Sequence, residues 1–192
     1  MPASTDTPLP PPRLNDCTLR DALRLRRSTR SFGPQPLSDQ ELSDLLWAAS
    51  GINRADAAGR TAPSARHWQE IDVYAALRGG LYRYEPATHA LRRLIEADLR
   101  ALTGEQDFVG RAPLNLVYVA DLSRVDAGDE QERRFYTAAD AGFIAQNVYL
   151  CCAAIGLATV VRGLVDRRRL AAAMGLRAEQ RVLLAQTVGH PP

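Results

Sequence analysis

The sequence predicts an α+β fold, or a mixed α/β layer arrangement, built around one sheet. Two helical segments come first, a strand hairpin follows them, and the second half alternates strand, long helix, strand, helix and strand. The chain has 192 residues, 46% of them hydrophobic, which is enough to bury one sizeable core. We therefore expect one globular domain over residues 18–192, preceded by a flexible lead-in over residues 1–17.

The lead-in and the first two helices are predicted from local signals. Five prolines fall within Met1–Pro12, which favours an extended, mobile segment. A short helix is expected over residues 18–27. The clearest helix start is at Ser38, because Ser38 and Glu41 have the spacing of a capping box. Leucines at helical spacing follow, and this second helix is expected to end near Gly51.

The middle of the chain is predicted to hold a polar loop, three strands and one short helix. The polar loop covers residues 54–68. Alternation of apolar and polar residues then indicates a strand, and Gly79–Gly80 indicates a tight hairpin turn into the next one. The predicted strands are residues 71–77, 81–84 and 91–96, and the short helix lies around residues 98–102.

The second half is predicted to alternate strands and helices. Residues 112–121 form the most apolar strand candidate, and a glycine follows the end of each later helix. The predicted elements are a strand over residues 112–121, a long helix from Asp129 to Ile155, a strand over residues 157–162, a helix from Asp166 to Met174 and a strand over residues 180–189.

The long helix raises the question of a membrane span. Ala141–Val161 contains 21 residues without a charge, and about 20 apolar residues suffice to cross a bilayer. Gln146 and Asn147 lie near its middle, and Gly156 indicates a helix end followed by a strand. We therefore expect a buried helix and no membrane association. A helix that is apolar nearly all round must be covered, which in a chain this small favours an oligomer.

Composition excludes several classes of function. All 24 basic residues are arginine, so there is no lysine for a Schiff base, pyridoxal phosphate or a P-loop. A net charge of +2 gives no electrostatic argument for nucleic-acid binding. Cys17, Cys151 and Cys152 have neither a disulfide nor a zinc spacing. Reduced thiols and the absence of a signal-peptide pattern in residues 1–13 predict a cytoplasmic protein without a metal site.

The first candidate binding segment is Arg26–Arg30, where a helix gives way to an extended stretch. In an extended backbone Arg26, Ser28 and Arg30 lie on one side. Two guanidiniums flanking a hydroxyl are suited to a phosphate dianion, since arginine donates bidentately to phosphate. The alternative is a solvated basic helix end that interacts with the helix dipole.

Two further segments are candidates. Gly59–Gln69 is a polar loop with amide, hydroxyl and imidazole groups ahead of a strand, and loops of this kind often carry sites. The alternative is a connecting loop anchored by Trp68. Thr159–Gly163 ends a strand with a glycine, which lets the backbone approach a flat ligand closely. The alternative there is an ordinary strand end.

Taken together in this order, the segments resemble the nitroreductase family of flavin-dependent oxidoreductases. The resemblance extends from about Leu19 to His190, and it is most similar to the compact branch that includes the SagB-type, thiazole-forming dehydrogenases. The segments that carry it are RRSTRSF, PLSDQELSDLLWAASGIN, RTAPSARHWQEIDVY, GLYRYEPATHAL, APLNLVYVAD, DAGFIAQNVYLCCAAIGLATVVRG and QTVGHP.

The resemblance implies a fold, a cofactor and a set of site residues. The fold is a central, mostly antiparallel sheet flanked by helices, in an intertwined homodimer with FMN at the interface. The resemblance assigns no side chain as a general acid or base. The implied cofactor-binding residues are Arg26, Arg27, Ser28 and Arg30 at the phosphate, Pro63, Ser64, His67 and Gln69 near the ribityl chain and ring, and the backbone of Val160, Val161, Arg162 and Gly163 at the isoalloxazine edge. His67 stands where the family commonly has asparagine.

The activity that the resemblance implies is electron transfer through FMN. NADH or NADPH delivers a hydride to flavin N5, and a small nitroaromatic or quinone acceptor then takes the electrons in a ping-pong cycle. Two alternatives remain open: a flavin-dependent azoline dehydrogenase, and a flavin-binding protein without nicotinamide turnover.

Overall fold

The computed structural model describes residues 6–14, 16–126 and 128–192. Over these ranges the chain forms nine strands and four α-helices, joined by short 3₁₀ turns. The strands are β1 (Asp6–Pro8), β2 (Ile52–Arg54), β3 (Gly59–Arg60), β4 (Ile71–Leu77), β5 (Gly80–Glu85), β6 (Ala90–Ile95), β7 (Leu114–Asp121), β8 (Ala158–Arg162) and β9 (Gln180–Gly189). The helices are α1 (Leu19–Leu25), α2 (Asp39–Ser50), α3 (Glu130–Ile155) and α4 (Arg167–Met174).

One sheet organises the described part of the chain. Its seven strands run in the order β1-β6-β5-β4-β7-β9-β8, and each neighbouring pair is antiparallel. This confirms the α+β class and the mostly antiparallel sheet. All eight residues of the central strand β7 are buried, while β8 lies at one edge of the sheet. A separate pair joins β2, which ends at the first residue of the predicted polar loop, to β3 inside that loop.

Helices cover both faces of the sheet. Because side chains alternate along a strand, Leu116 and Tyr118 of β7 face α2 and α3, whereas Val117 faces α4. The α2 residues Leu45 and Leu46 are fully buried in the first of these layers. The sheet is therefore the middle of three layers, and the long helix α3 lies across one side of it.

The helix ends follow their local sequence signals closely. Ser38 Oγ accepts the Glu41 N–H at 3.2 Å, and Glu41 Oε2 accepts the Ser38 N–H at 2.7 Å, which confirms the capping box. Asp129 caps α3, and Gly156 ends it in the left-handed conformation with φ of 79°. Helix α1 is shorter than expected because the chain turns extended at Arg26. The helix predicted around residues 98–102 is a single 3₁₀ turn.

The described part of the lead-in is residues 6–14 and 16–17; residues 6–8 form a strand, and the segment is joined to the domain. Strand β1 pairs with β6 at the sheet edge, and Arg13 N–H donates to Asp44 Oδ1 at 2.5 Å. Ser43 Oγ donates to Pro10 O at 2.5 Å. Proline lacks an N–H, but its carbonyl still accepts, and these partners on α2 could not be found from the lead-in itself. The remaining lead-in predictions for residues 1–5 and 15 lie outside the described residues.

Helix α3 combines a buried flank with an exposed apolar one. By length and composition it could cross a membrane, since an 18-residue window of it has a mean hydropathy of 1.3, but a buried core helix passes the same test. Ala141, Val148 and Cys152 pack into the core below the sheet. On the other flank Phe135 is 67% exposed and Phe143 47% exposed. This chain alone therefore leaves a strip of α3 without cover.

Candidate functional site

Two of the three predicted binding segments meet at the edge strand β8. After α1 ends, the extended chain runs beside β8, and Thr29 N–H donates to Thr159 O at 2.9 Å. The Tyr149 hydroxyl of α3 lies 2.8 Å from Ser28 Oγ and accepts the Val161 N–H at 2.9 Å. Tyr149 thus ties the arginine segment to the edge strand. Sequence reasoning placed Tyr149 only on a buried helix and did not single it out.

A cleft of about 400 Å³ opens at this junction. The Arg26 guanidinium lies over the Tyr149 ring, 5.3 Å from its centre. Among the described residues, Arg26, Arg27 and Arg30 form no ion pair. Their charges are therefore available to an anionic ligand. The cleft is lined by Arg24, Leu25, Arg26, Arg27, Thr29, Tyr149, Cys152, Ala153, Gly156, Leu157, Ala158, Thr159 and Pro191.

Side chains of the arginine segment contact the cleft in different ways. Arg26 and Ser28 both contact Tyr149. Arg26, Arg27 and Thr29 line the cleft, whereas Arg30 is exposed outside the lining. That Arg26, Ser28 and Arg30 lie on one side stays a prediction.

Strand β8 lies at the edge of the sheet, where Thr29 and Tyr149 bond to the backbone of Thr159 and Val161. Val160 is buried and Val161 half-buried, while Gly163 is exposed. A Cβ at Gly163 would meet no atom of this chain closer than 3.9 Å, so packing within the chain does not require a glycine there. The Arg162 side chain, by contrast, is only 5% exposed and points into the protein.

The third predicted segment lies elsewhere along α3. Ala65 N–H donates to Asp140 Oδ2 at 2.8 Å, nine residues before Tyr149. At 1.5 Å per residue, the two attachment points are about 13 Å apart along the helix axis. Within one chain the loop is therefore separate from the arginine cleft.

The loop is strained and is held by its own polar side chains. Arg66, His67 and Gln69 have φ values of 48°, 61° and 48°, a region that residues other than glycine adopt at a cost. Ser64 Oγ accepts the Gln69 N–H at 2.8 Å, and Gln69 Oε1 accepts from Arg60 Nε at 3.0 Å. A cleft of about 240 Å³ brings together all four predicted loop residues, with the lining Arg54, Arg60, Ala62, Pro63, Ser64, His67 and Gln69.

Two buried carboxyls lie beneath this loop. Glu70 is fully buried and Asp140 is 3% exposed. Ser64 Oγ donates to Glu70 Oε2 at 3.2 Å, whereas Glu70 Oε1 has no hydrogen-bond partner among the described residues. Burial, followed by the neighbouring Asp140 carboxylate, raises the pKa of Glu70 to about 7. Sequence reasoning missed this pair, because the two residues are 70 positions apart.

Comparison with known proteins gives a consistent result. A family model described as Nitroreductase family matches residues 23–190. A provisionally named nitroreductase of Methanocaldococcus jannaschii is 33% identical over 165 residues, which are 79% of this chain and 81% of that protein. A crystal structure of a provisionally named nitroreductase from Ralstonia eutropha JMP134 is 47% identical, with a TM-score of 0.93 over 100% of this chain and 92% of that one.

A more distant crystal structure shares the fold. It is of a provisionally named nitroreductase from Desulfovibrio desulfuricans in complex with FMN, and it is 20% identical to this chain. The TM-score is 0.67, with 92% of this chain and 88% of that chain covered.

Proposed function

Because the chain belongs to the nitroreductase family, we propose that it is an FMN-dependent oxidoreductase that passes electrons from NADH or NADPH to a small nitroaromatic or quinone-type acceptor. The observation that carries this proposal is the cleft at β8. There Arg26 and Arg27, neither of them in an ion pair within the described residues, lie next to Ala158 and Thr159 of the edge strand. A phosphate and a flat ring system together need these two features.

The donors present fit FMN. Arg26 and Arg27 line the cleft together with the Thr29 backbone segment, so a phosphate there would meet two guanidiniums, with the Ser28 hydroxyl next to them. Arg30 is the fourth predicted phosphate ligand. The backbone over residues 160–163 would border the ring, and the loop residues Pro63, Ser64, His67 and Gln69 would border the ribityl chain and ring from a second cleft.

When bound, FMN supplies the redox chemistry by accepting a hydride at N5 and releasing the electrons to the acceptor. The chain's own residues bind and orient it. Tyr149 fixes Ser28 relative to the Val161 N–H, so that the phosphate end and the strand edge keep one spacing. One open face would serve donor and acceptor in turn, and we expect ping-pong kinetics. No side chain is needed to move a proton.

We further propose that the active form is a homodimer with FMN at its interface. Phe135 and Phe143 are exposed on α3, and Gly142 lies between them. A glycine inside a helix costs about 1 kcal/mol relative to alanine, yet a Cβ at Gly142 would meet nothing within 4 Å in this chain. Close approach of a second copy of the chain would explain why residue 142 is a glycine. Such a copy would also border Tyr149, which lies two turns further along α3 on the same face as Gly142, and hence the arginine cleft.

The test begins with the absorbance spectrum of the purified protein after incubation with FMN and removal of excess. We expect a bound flavin and, on anaerobic mixing with NADH or NADPH, rapid bleaching of its yellow absorbance. A protein that stays colourless would refute FMN binding. A bound flavin that neither nicotinamide bleaches would refute the reductase and favour an azoline dehydrogenase or a flavin-binding protein without nicotinamide turnover.

A matched pair of variants locates the site. Replacing Arg26 and Arg27 together with alanine should abolish retention of FMN, because charge-assisted hydrogen bonds to the phosphate are lost. Arg168→Ala removes an exposed arginine from α4 and should retain FMN like the unmodified chain. Equal retention by both variants would show that the phosphate lies elsewhere.

A further inference from the structure

Arg162 carries a buried positive charge without a negative partner. Its side chain is 5% exposed, and its three nitrogens donate only to neutral oxygens. Nε donates to Thr187 Oγ1 at 3.0 Å, Nη1 to Thr103 O at 2.9 Å and Nη2 to Asn115 Oδ1 at 3.1 Å. Among the described residues no carboxylate lies within ion-pair distance of it.

The residues around this guanidinium have the size and orientation needed to accommodate it. A Cβ at Gly104 would overlap Arg162 Nη1, so residue 104 has to be glycine for the cation to fit. Asn115 and Thr187 are fully buried, and Thr187 Oγ1 also donates to Asn115 Oδ1 at 2.6 Å. This bond turns the oxygen of Asn115 toward the cation. The Phe108 ring lies 6.0 Å away on another side.

A cation buried in this way is costly to keep. Removing an ion from water is unfavourable unless an opposite charge compensates, and an apolar side chain of similar size usually serves packing better. Burial lowers the pKa of Arg162 to about 10, which leaves the group charged at neutral pH. The neutral groups around Arg162 therefore leave its full positive charge in place. No negatively charged neighbour in the described part of the chain cancels the electric field of this guanidinium.

The position of this charge indicates a role in the proposed reaction. Arg162 is the last residue of the edge strand β8, whose first two residues, Ala158 and Thr159, line the arginine cleft. In the proposed reaction a nicotinamide gives up a hydride, two electrons with one proton. The donor gains one positive charge, and the flavin ring gains one negative charge. A fixed cation near that ring favours its reduced form.

We propose that Arg162 acts through its charge rather than by contact, stabilising the negative charge that the flavin acquires on reduction at the β8 edge. This inference rests on the proposed function, because it requires FMN to lie there. It assigns to Arg162 a side-chain role that the predicted backbone contact does not include.

The experiment measures the reduction potential of FMN bound to the holoprotein, by equilibration with a reference dye. Arg162→Met removes the charge, and Asn115→Asp keeps the arginine but places a carboxylate against it. Both should shift the relative affinity for reduced over oxidised FMN about tenfold toward the oxidised form, a potential lower by about 30 mV. Arg162→Lys keeps the charge and should stay within threefold of the unmodified protein.

The possible results distinguish a failure of the role of Arg162 from a failure of FMN binding. A purely structural role for Arg162 would lower thermal stability in Arg162→Met without moving the potential, and an unchanged potential in both Arg162→Met and Asn115→Asp overturns the inference while FMN binding stands. If Arg162→Met does not fold, Asn115→Asp decides alone, because at nearly constant shape it adds a negative charge and loses only the hydrogen bond from Asn115 Nδ2 to Val109 O. An unmodified chain that binds no FMN overturns both the proposed function and this inference.

Discussion

Replacing Glu70 with glutamine should change the pH dependence of stability. Glu70 is fully buried, one of its oxygens has no hydrogen-bond partner among the described residues, and Asp140 lies beside it. Its pKa is raised from 4.5 to about 7 in the folded protein. Between these values the folded chain holds a proton that the unfolded chain has released. Stability from this group is therefore full below about pH 4.5 and is lost as the pH rises through 7.

The magnitude follows from the size of the shift. Each pK unit corresponds to about 1.4 kcal/mol, so a shift from 4.5 to about 7 gives a ceiling of about 3 kcal/mol. Glutamine stays neutral at every pH and can donate to Asp140. Glu70→Gln should thus resemble the unmodified chain near pH 5 and exceed its stability near pH 8, by up to about 3 kcal/mol.

The assay is urea unfolding followed by circular dichroism at pH 5, 6, 7 and 8, at one fixed protein concentration because an oligomer's stability depends on it. Glu105→Gln, at an exposed glutamate, is the matched control. If the stability difference between Glu70→Gln and the unmodified chain is the same at pH 5 and pH 8, the buried carboxyl does not hold its proton and the reasoning fails.

Three further predictions concern the proposed site. Arg27→Ala should weaken FMN binding about tenfold or more, as expected for a lost charged hydrogen bond. Arg30→Ala, measured by the same flavin-fluorescence titration, should weaken it less because Arg30 lies outside the cleft lining, and a larger loss in Arg30→Ala than in Arg27→Ala would contradict this ranking. Tyr149→Phe should lower the free energy of unfolding by about 1–3 kcal/mol, since Val161 N–H loses its acceptor; unchanged urea unfolding would contradict this. Gly142→Arg should leave the fold intact and elute as a monomer in size-exclusion chromatography, whereas an unchanged dimer would place the interface away from α3.

Much of the fold could be predicted because its signals are local. The strands over residues 71–77 and 180–189 have the predicted bounds, and the Ser38 capping box and the Asp129 cap of α3 form as expected. Caps and alternation act over a few residues, so the sequence near each element contains them. The short helix near residue 100 was only a 3₁₀ turn, because seven or fewer residues of helical pattern do not decide between the two.

The candidate site was predicted only in part. The segments that approach β8 and the loop before β4 were identified, but not which of their side chains line a cleft. Tyr149 stayed hidden because its partners Ser28 and Val161 are 121 and 12 residues away. Glu70 was passed over because its burial depends on α3.

The sequence alone determined the order of the elements, their ends and the resemblance to one family, since these rest on spacing and residue type. The tertiary structure decided which charges are left without partners. Arg26 and Arg27 face an open cleft, Arg162 lies in a neutral cage, and Glu70 lies beside a second carboxyl. The physical reason is that the energy of a charge depends on everything folded around it, and those neighbours come from distant parts of the chain.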